Sequence, residues 1–268
     1  MTQSPALKSI TQGSVFNFAR SEDFEGEEVL GLVISARCDL AQKKQDKFSY
    51  VPLIRASAWI DRYLVPKMFE EDRASSINSL GEILTRNNLS KAAIDTFGAK
   101  ACSALIPEGK DKGKFLEILL KIEKIEQSLA DRKFDKKAIK EKSLTGRIED
   151  LITNKIEGYF LIDEIIDYQD ASQSLGPHVA LLGEPRHIRK SVALSIAEGM
   201  DHNSEMDNRY VNGSVNLVKN GFSYVLCNVR SPYIELIMQR FSSLFSRIGV
   251  ENPAQNLKTG IAKEAIKN

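Results

Sequence analysis

One short segment constrains this chain more than any other. Val29-Leu-Gly-Leu-Val-Ile-Ser35 is a nearly continuous apolar run. A strand with one wet face alternates apolar and polar residues, so an unbroken run of this length predicts a strand buried on both faces. Such a strand needs a sheet around it and a second layer on each side. Other strand-like segments lie at the two ends of the chain. Gly13-Ser-Val-Phe-Asn-Phe18 precedes it, and Phe48-Ser-Tyr-Val-Pro-Leu-Ile54 follows, with Pro52 predicting an edge or a bulge because proline cannot donate to a ladder. Strands return at Tyr159-Phe-Leu-Ile-Asp163, Val179-Ala-Leu-Leu182, Val215-Asn-Leu-Val218 and Phe222–Val229. The last two flank Lys219-Asn-Gly221, and an Asn-Gly pair between apolar segments predicts a hairpin.

Between these ends the texture changes to helical spacing. The strongest helix is expected over about residues 112–130, where Phe115, Leu119, Ile122, Glu126 and Leu129 share a stripe with Ile118 and Ile125 beside it. From Lys110 to Arg147 there are 12 basic and 7 acidic residues, an excess hidden by the balanced total of 37 basic and 36 acidic side chains. A solvated helical face and a phosphate-binding surface both accommodate that excess. In the C-terminal part, one helix is expected to begin near Pro185. Another is expected to have Ser231 as N-cap and Pro232 as first residue, with Ile234, Met238, Phe241, Phe245 and Ile248 on one face before Gly249 ends it. The expected fold class is therefore α+β: an SH3-like or small antiparallel β-barrel or sheet built from both chain ends, with a helical insertion. The boundaries fall at residues 1–56, 57–150 and 151–268.

No apolar run approaches the length of a membrane span, and the first ten residues lack the pattern of a signal peptide, which predicts a cytoplasmic protein without a membrane partner. Cys38, Cys102 and Cys227 are scattered and never form a C-x-x-C pair, so reduced thiols are expected, with no metal site and no cofactor. There is no Walker A, G-x-G-x-x-G, H-E-x-x-H or G-x-S-x-G motif.

Two clusters carry candidate chemistry. Arg37, Cys38 and Asp39 directly follow the buried strand, and a thiol beside Arg37 would have its thiolate stabilised, while Asp39 could orient a base. The plainer alternative makes Cys38 a small buried hydrophobe and Asp39 a turn residue. Arg186, His187, Arg189 and Lys190 would fall in the first turns of the helix expected near Pro185, where the macrodipole disfavours cations, so an anion such as a phosphate bound there would offset the cost. Alternatively Ile188, Val192 and Ile196 face the core and the basic residues are solvated. Asp201–Asp207 reads as a polar surface loop without the spacing of a calcium loop, and His178 and His202 are the remaining histidines.

Two resemblances bear on function. Gln12-Gly-Ser-Val-Phe16, Val29–Ser35 and Val51-Pro-Leu53 resemble the opening of the small MazF/PemK/Kid-type ribonuclease toxins, which have an SH3-like barrel; Ser14 stands where those toxins usually carry an aspartate, and Leu30-Gly31 where they carry Arg-Pro. Ile34-Ser-Ala-Arg-Cys-Asp39 and Phe245-Ser-Arg-Ile-Gly249 resemble bacterial proteins with an Ile-Ser-Gln-x-Cys-Asp motif that accompany mobile-element and phage-defence operons, with Ala36 in place of the usual Gln. The second resemblance implies a non-catalytic binding or adaptor subunit of a defence or toxin-type assembly. It implies a protein partner encoded nearby, and the basic cluster adds nucleic acid as a possible partner. The first implies a ribonuclease or other nucleic-acid-processing enzyme.

Overall fold

A computed structural model describes residues 1–38, 46–170, 172–205, 213 and 215–246. Asp39, Arg247, Ile248 and Gly249 lie outside them.

The strands are β1 (Thr2–Gln3), β2 (Ser14–Phe16), β3 (Val29–Val33), β4 (Lys47–Arg55), β5 (Tyr159–Asp167), β6 (Gln173–Leu181), β7 (Arg186–Arg189), β8 (Met200–Asp201), β9 (Phe222–Ser223) and β10 (Val225–Val229). Eight of them form one antiparallel sheet in the order β1-β10-β2-β3-β4-β6-β5, with β7 also pairing β4. Its ends approach each other: the Tyr168 N–H donates to the Leu226 carbonyl at 3.2 Å and the Thr2 hydroxyl to the Glu164 carbonyl at 3.5 Å. The sheet is thus a nearly closed, barrel-like structure, which removes most of the exposed edge that an open sheet would present.

β3 is buried along its whole length, as its composition requires. Its side chains alternate between two cores. Val29 and Val33 join Phe16, Phe48, Tyr50, Ile54 and the helices packed outside the sheet, whereas Leu30 and Leu32 join Val15, Val51, Leu53, Phe160, Ile162 and Leu226. Gly31 points to the first of these, and a Cβ there would stand 2.3 Å from Cζ of Phe16, so the glycine makes room for that ring. Pro52 does not mark an edge. β4 is central and changes partner along its length, pairing with β7 over Lys47–Tyr50 and with β6 over Leu53–Arg55, so Pro52 occupies the interval between the two neighbours.

The helices are α1 (Ala56–Trp59), α2 (Val65–Arg86), α3 (Ala93–Phe97), α4 (Ala99–Leu105), α5 (Lys110–Asp131), α6 (Glu141–Ile152), α7 (Lys190–Glu198), α8 (His202–Glu205) and α9 (Tyr233–Phe245). A π turn over Ile60–Leu64 joins α1 to α2. Pro66 follows it, and because proline offers no N–H to the carbonyl four residues earlier and crowds it, the backbone widens there. α2 and α5 pack together around Leu80, Ile83, Leu84, Phe115 and Ile122, a core distinct from the two beside the sheet. Within the predicted α5 stripe, Phe115, Ile122 and Ile125 are buried and Glu126 is not: it pairs with Arg73 of α2. No described helix is long and apolar enough to cross a membrane.

Three expectations need correction. Helix α7 starts at Lys190, and Arg186–Arg189 form strand β7 instead of the first turns of a helix. The Asn-Gly turn does not close a hairpin of the expected strands: Val215 is an isolated bridge residue, and β9 pairs with β8. Here Asn220 alone takes positive φ, at 60°, and the Gly221 N–H returns to the Val218 carbonyl in a tight turn that packs on His202. In α9 the N-cap is Pro232, with no side-chain cap, and the buried residues are Ile234 and Ile237, with Met238, Phe241 and Leu244 partly buried beside them. The stripe leans to Ile237 because its neighbours in the second core are strands on several sides, while Phe245 is 58% exposed.

Candidate functional site

The residues that close β3 reach one of the two candidate clusters, that of β7, while Arg37 of the other turns to Glu235 on α9. Ser35 ends the apolar run, and its hydroxyl accepts the Ser49 N–H at 2.7 Å, while the Ser49 carbonyl accepts the N–H groups of Ile34 and Ser35 at 2.9 and 3.3 Å. This clasp holds the start of β4 against the end of β3. The Ser49 hydroxyl lies 3.2 Å from Nδ1 of His187 on β7. Ser35, Ser49 and His187 therefore form a polar chain across three strands, and Arg37 and Cys38 emerge immediately beyond it.

Register decides which basic side chains share a face. Across β4 and β7 the Cα partners are Lys47 with Arg189, Phe48 with Ile188, Ser49 with His187, and Tyr50 with Arg186. Phe48, Ile188 and Tyr50 enter the core beside the helices, so Lys47, Ser49, His187 and Arg189 share the opposite face of the two strands. Lys47 and Arg189 are both exposed and stand directly opposite each other, concentrating positive charge at the rim. Lys190, the first residue of α7, anchors the corner through its N–H to the Asp46 carbonyl at 2.9 Å.

Arg186 plays a different part. Its guanidinium is committed to Glu22 at 2.8 Å and Glu184 at 3.2 Å, and Glu184 also accepts the Ser21 hydroxyl and the Glu22 N–H, each at 2.7 Å. The group clasps the acidic connection between β2 and β3 onto the sheet. Burial raises the pKa of Tyr50, which stands next to this clasp, while the backbone of Arg20 and the charge of Arg186 oppose the shift.

Beside the polar chain is a cleft of about 570 Å³, lined by Ile34, Ser49, Pro185, His187, Phe241 and Phe245. The Phe241 and Phe245 rings are 4.9 Å apart between centroids. An apolar floor, two aromatic faces and a neighbouring basic face thus occur together. The larger cleft of about 770 Å³ between α2, α5 and residues 135–143 has a mixed-charge lining in which Lys121 pairs with Asp72.

Of the remaining candidates, Cys38 is exposed, which corrects its reading as a small buried hydrophobe. Cys102 and Cys227 are buried, and burial pushes the Cys227 thiol up to about 12, which makes it inert at neutral pH. His178 is buried on β6 with Nδ1 at 3.0 Å from the Gly176 carbonyl; burial chiefly, with Arg55 adding to it, brings its pKa down to about 4, so the ring is neutral. His202 is fully buried, accepts the Val218 N–H on Nδ1 and so donates from Nε2 to the Ser223 hydroxyl at 2.7 Å. Both are satisfied structural histidines. No group of three His, Cys, Asp or Glu side chains suited to a metal ion occurs among the described residues.

The sequence reading missed Lys47 and Ser49, and it placed Phe245 on the packed face of its helix, whereas the ring is exposed. The alternation Lys47-Phe-Ser49-Tyr already placed Lys47 and Ser49 on one face, but the pairing of that face with residues about 140 positions later has no local signal. Compared with known proteins, the chain matches no family model, no curated protein and no solved structure.

Proposed function

We propose that this chain is a binding module that takes single-stranded nucleic acid at the rim formed by β4, β7 and the end of α9, acting as the adaptor subunit of a larger assembly. One observation carries the reading: the cross-strand pair Lys47 and Arg189 lies on the same face as His187, beside the Phe241–Phe245 rings. Basic side chains that track phosphates, together with aromatic faces on which bases stack, are what sequence-tolerant recognition of a single strand requires. The resemblance of the Ile34–Asp39 segment to defence-associated bacterial proteins supports a place in a phage-defence or toxin-type assembly with a protein partner. An SH3-like character of the barrel, and a sheet assembled from the two chain ends, belong to the same reading.

A second reading, a MazF-like ribonuclease, is favoured by the contact between the Ser49 hydroxyl and His187, since an imidazole at a phosphate-binding rim has the chemistry of a general acid or base.

Labelled single-stranded RNA and DNA, incubated with the protein with and without divalent metals, separate these readings by gel shift and by product analysis. The binding module shifts the strand intact. Phe245→Ala weakens that binding by about 1–3 kcal/mol, and replacing Lys47 and Arg189 together by Gln flattens the log–log salt dependence by about 1.4, or 0.7 per phosphate contact. Cleavage that disappears in His187→Ala replaces the adaptor with the ribonuclease. Isotherms unmoved by Phe245→Ala and by the Lys47/Arg189 double variant, with no cleavage by wild type, end both readings.

A further inference from the structure

A further, smaller polar cleft shares no lining residue with the aromatic rim and lies where β1, β10 and the turn before β2 meet Arg37, beyond the end of β3. It has a volume of about 370 Å³, and its lining brings Arg37 and Arg230 together with Gln3, Thr11, Asn228 and Ser231. Two arginines thus line one small space whose other polar side chains are amides and hydroxyls, and no carboxylate lines it among the described residues.

The hydrogen bonds beneath the cleft set which atoms remain to serve a ligand. The Ser14 hydroxyl accepts the Thr11 N–H at 2.9 Å and so directs its own proton to Oδ1 of Asn228 at 2.8 Å. That contact uses the acceptor end of the Asn228 amide and leaves its N–H2 end as the part that can meet a ligand. Gly13, at φ +91°, sits at the turn that makes this possible: its carbonyl accepts the Val229 N–H at 2.8 Å, and a Cβ there would stand 2.9 Å from the Val229 carbonyl. Arg230 lies over the Tyr233 ring at 6.0 Å from its centroid. Arg37 meets Glu235 of α9 at 3.3 Å, but both side chains are more than half exposed, so this pair is screened and easily exchanged for another anion.

We propose that this cleft is a phosphate-binding site, with Arg37 and Arg230 as the charged ligands and Asn228, Thr11 and Ser231 as neutral donors. Planar guanidinium groups match the oxygen spacing of a phosphate, and a donor-rich lining discriminates against cations. The site is separate from the aromatic rim and does not depend on the reading proposed for that rim.

Calorimetric titration of the full chain with inorganic phosphate, at ionic strength held constant with chloride, tests it. Wild type binds one phosphate per chain saturably. Arg230→Gln weakens this by about tenfold or more, the loss expected for a charge-assisted hydrogen bond, and Lys114→Gln, which removes an exposed charge on α5, leaves it unchanged. Arg37→Gln provides the same test through a surface side chain should Arg230→Gln fail to fold. Absence of saturable binding by wild type, or equal affinity in either arginine variant, overturns the proposal.

A parallel titration with a short single strand carrying either a 5′-phosphate or a 5′-hydroxyl identifies the source. Tighter binding of the phosphorylated strand, lost in Arg230→Gln, assigns a terminal phosphate. Equal weakening of both strands by Arg230→Gln assigns an internal phosphodiester, and an effect on inorganic phosphate alone assigns a small phosphate. Phe245→Ala, measured with the same strands, reports on the aromatic rim independently.

Discussion

The sheet and the helical segment between β4 and β5 arrange charge differently. In the sheet, basic side chains gather on one rim: Lys47 faces Arg189 across two strands, and His187 follows on the same face. In the helical segment the basic excess between residues 110 and 147 is larger, and ion pairs cross the edges of that window in both directions: Glu123 meets Lys100, Glu126 meets Arg73 and Asp111 meets Arg86. Lys121 pairs with Asp72, Lys136 with Asp61 and Arg147 with Glu71, all acidic residues that precede the window. A net charge counted over a window of sequence is therefore no measure of which of its side chains are paired.

The helical segment shares the first core with the sheet through Trp59, Met68 and Leu151 but also has a core of its own, and the largest expected effect tests how separate that one is. Phe115→Ala empties a fully buried aromatic position in the core between α2 and α5 and should cost about 3–5 kcal/mol. Amide hydrogen exchange should accelerate in α2, α4 and α5 while the amides of β3 keep their protection, because local unfolding follows cooperative units. Equal acceleration in β3 would merge the two regions into one unit. Ile60 and Ile139 are where such coupling would pass, since each packs both on the core beside the sheet and on the small cluster around Phe69.

Acid should act on the sheet through His178. Its folded pKa of about 4 lies below the ordinary histidine value of 6.5, so the unfolded chain takes up the proton first as pH falls. The contribution of the neutral ring is complete above about pH 6.5 and is lost progressively down to about pH 4, a change of roughly 3 kcal/mol. Urea midpoints measured between pH 7 and 4.5 should fall more steeply in wild type than in His178→Gln; parallel curves would remove His178 from the acid response. A smaller effect is expected at Gly31. There Ala places a methyl against the Phe16 ring, and overpacking of this kind costs about 1–3 kcal/mol, read as a lower urea midpoint.

These positions also mark how far the sequence could be read. β3 was legible because an unbroken apolar run has few other solutions, and α5 was legible because its stripe repeats at helical spacing over several turns. β7 was not. Its four residues carry a single core side chain, Ile188, and they become a strand because β4 offers them a ladder over Lys47–Tyr50. The same tertiary pairing moved the basic cluster from a helix terminus to a strand face and separated Arg186, held by two carboxylates, from His187 and Arg189. Likewise Arg37 was singled out beside Cys38 and Asp39, but its meeting with Arg230 depends on β10 pairing with β2, a contact between residues more than 200 positions apart.

The smallest expected effect bears most directly on the comparison of charges. Lys121 and Asp72 join α5 to α2 at 2.5 Å, and each side chain is about half exposed. A double-mutant cycle with Lys121→Ala and Asp72→Ala should give a coupling of about 0.2–1 kcal/mol, typical of an exposed pair. In 1 M salt, where the screening length falls to about 3 Å, that coupling should shrink further. The stability of the helical segment would then rest on Phe115 and its neighbours, with the ion pairs serving mainly to cancel its local charge. A coupling of several kcal/mol that persists in high salt would reverse this order. It would make the charge pairs the element that docks α5 on α2.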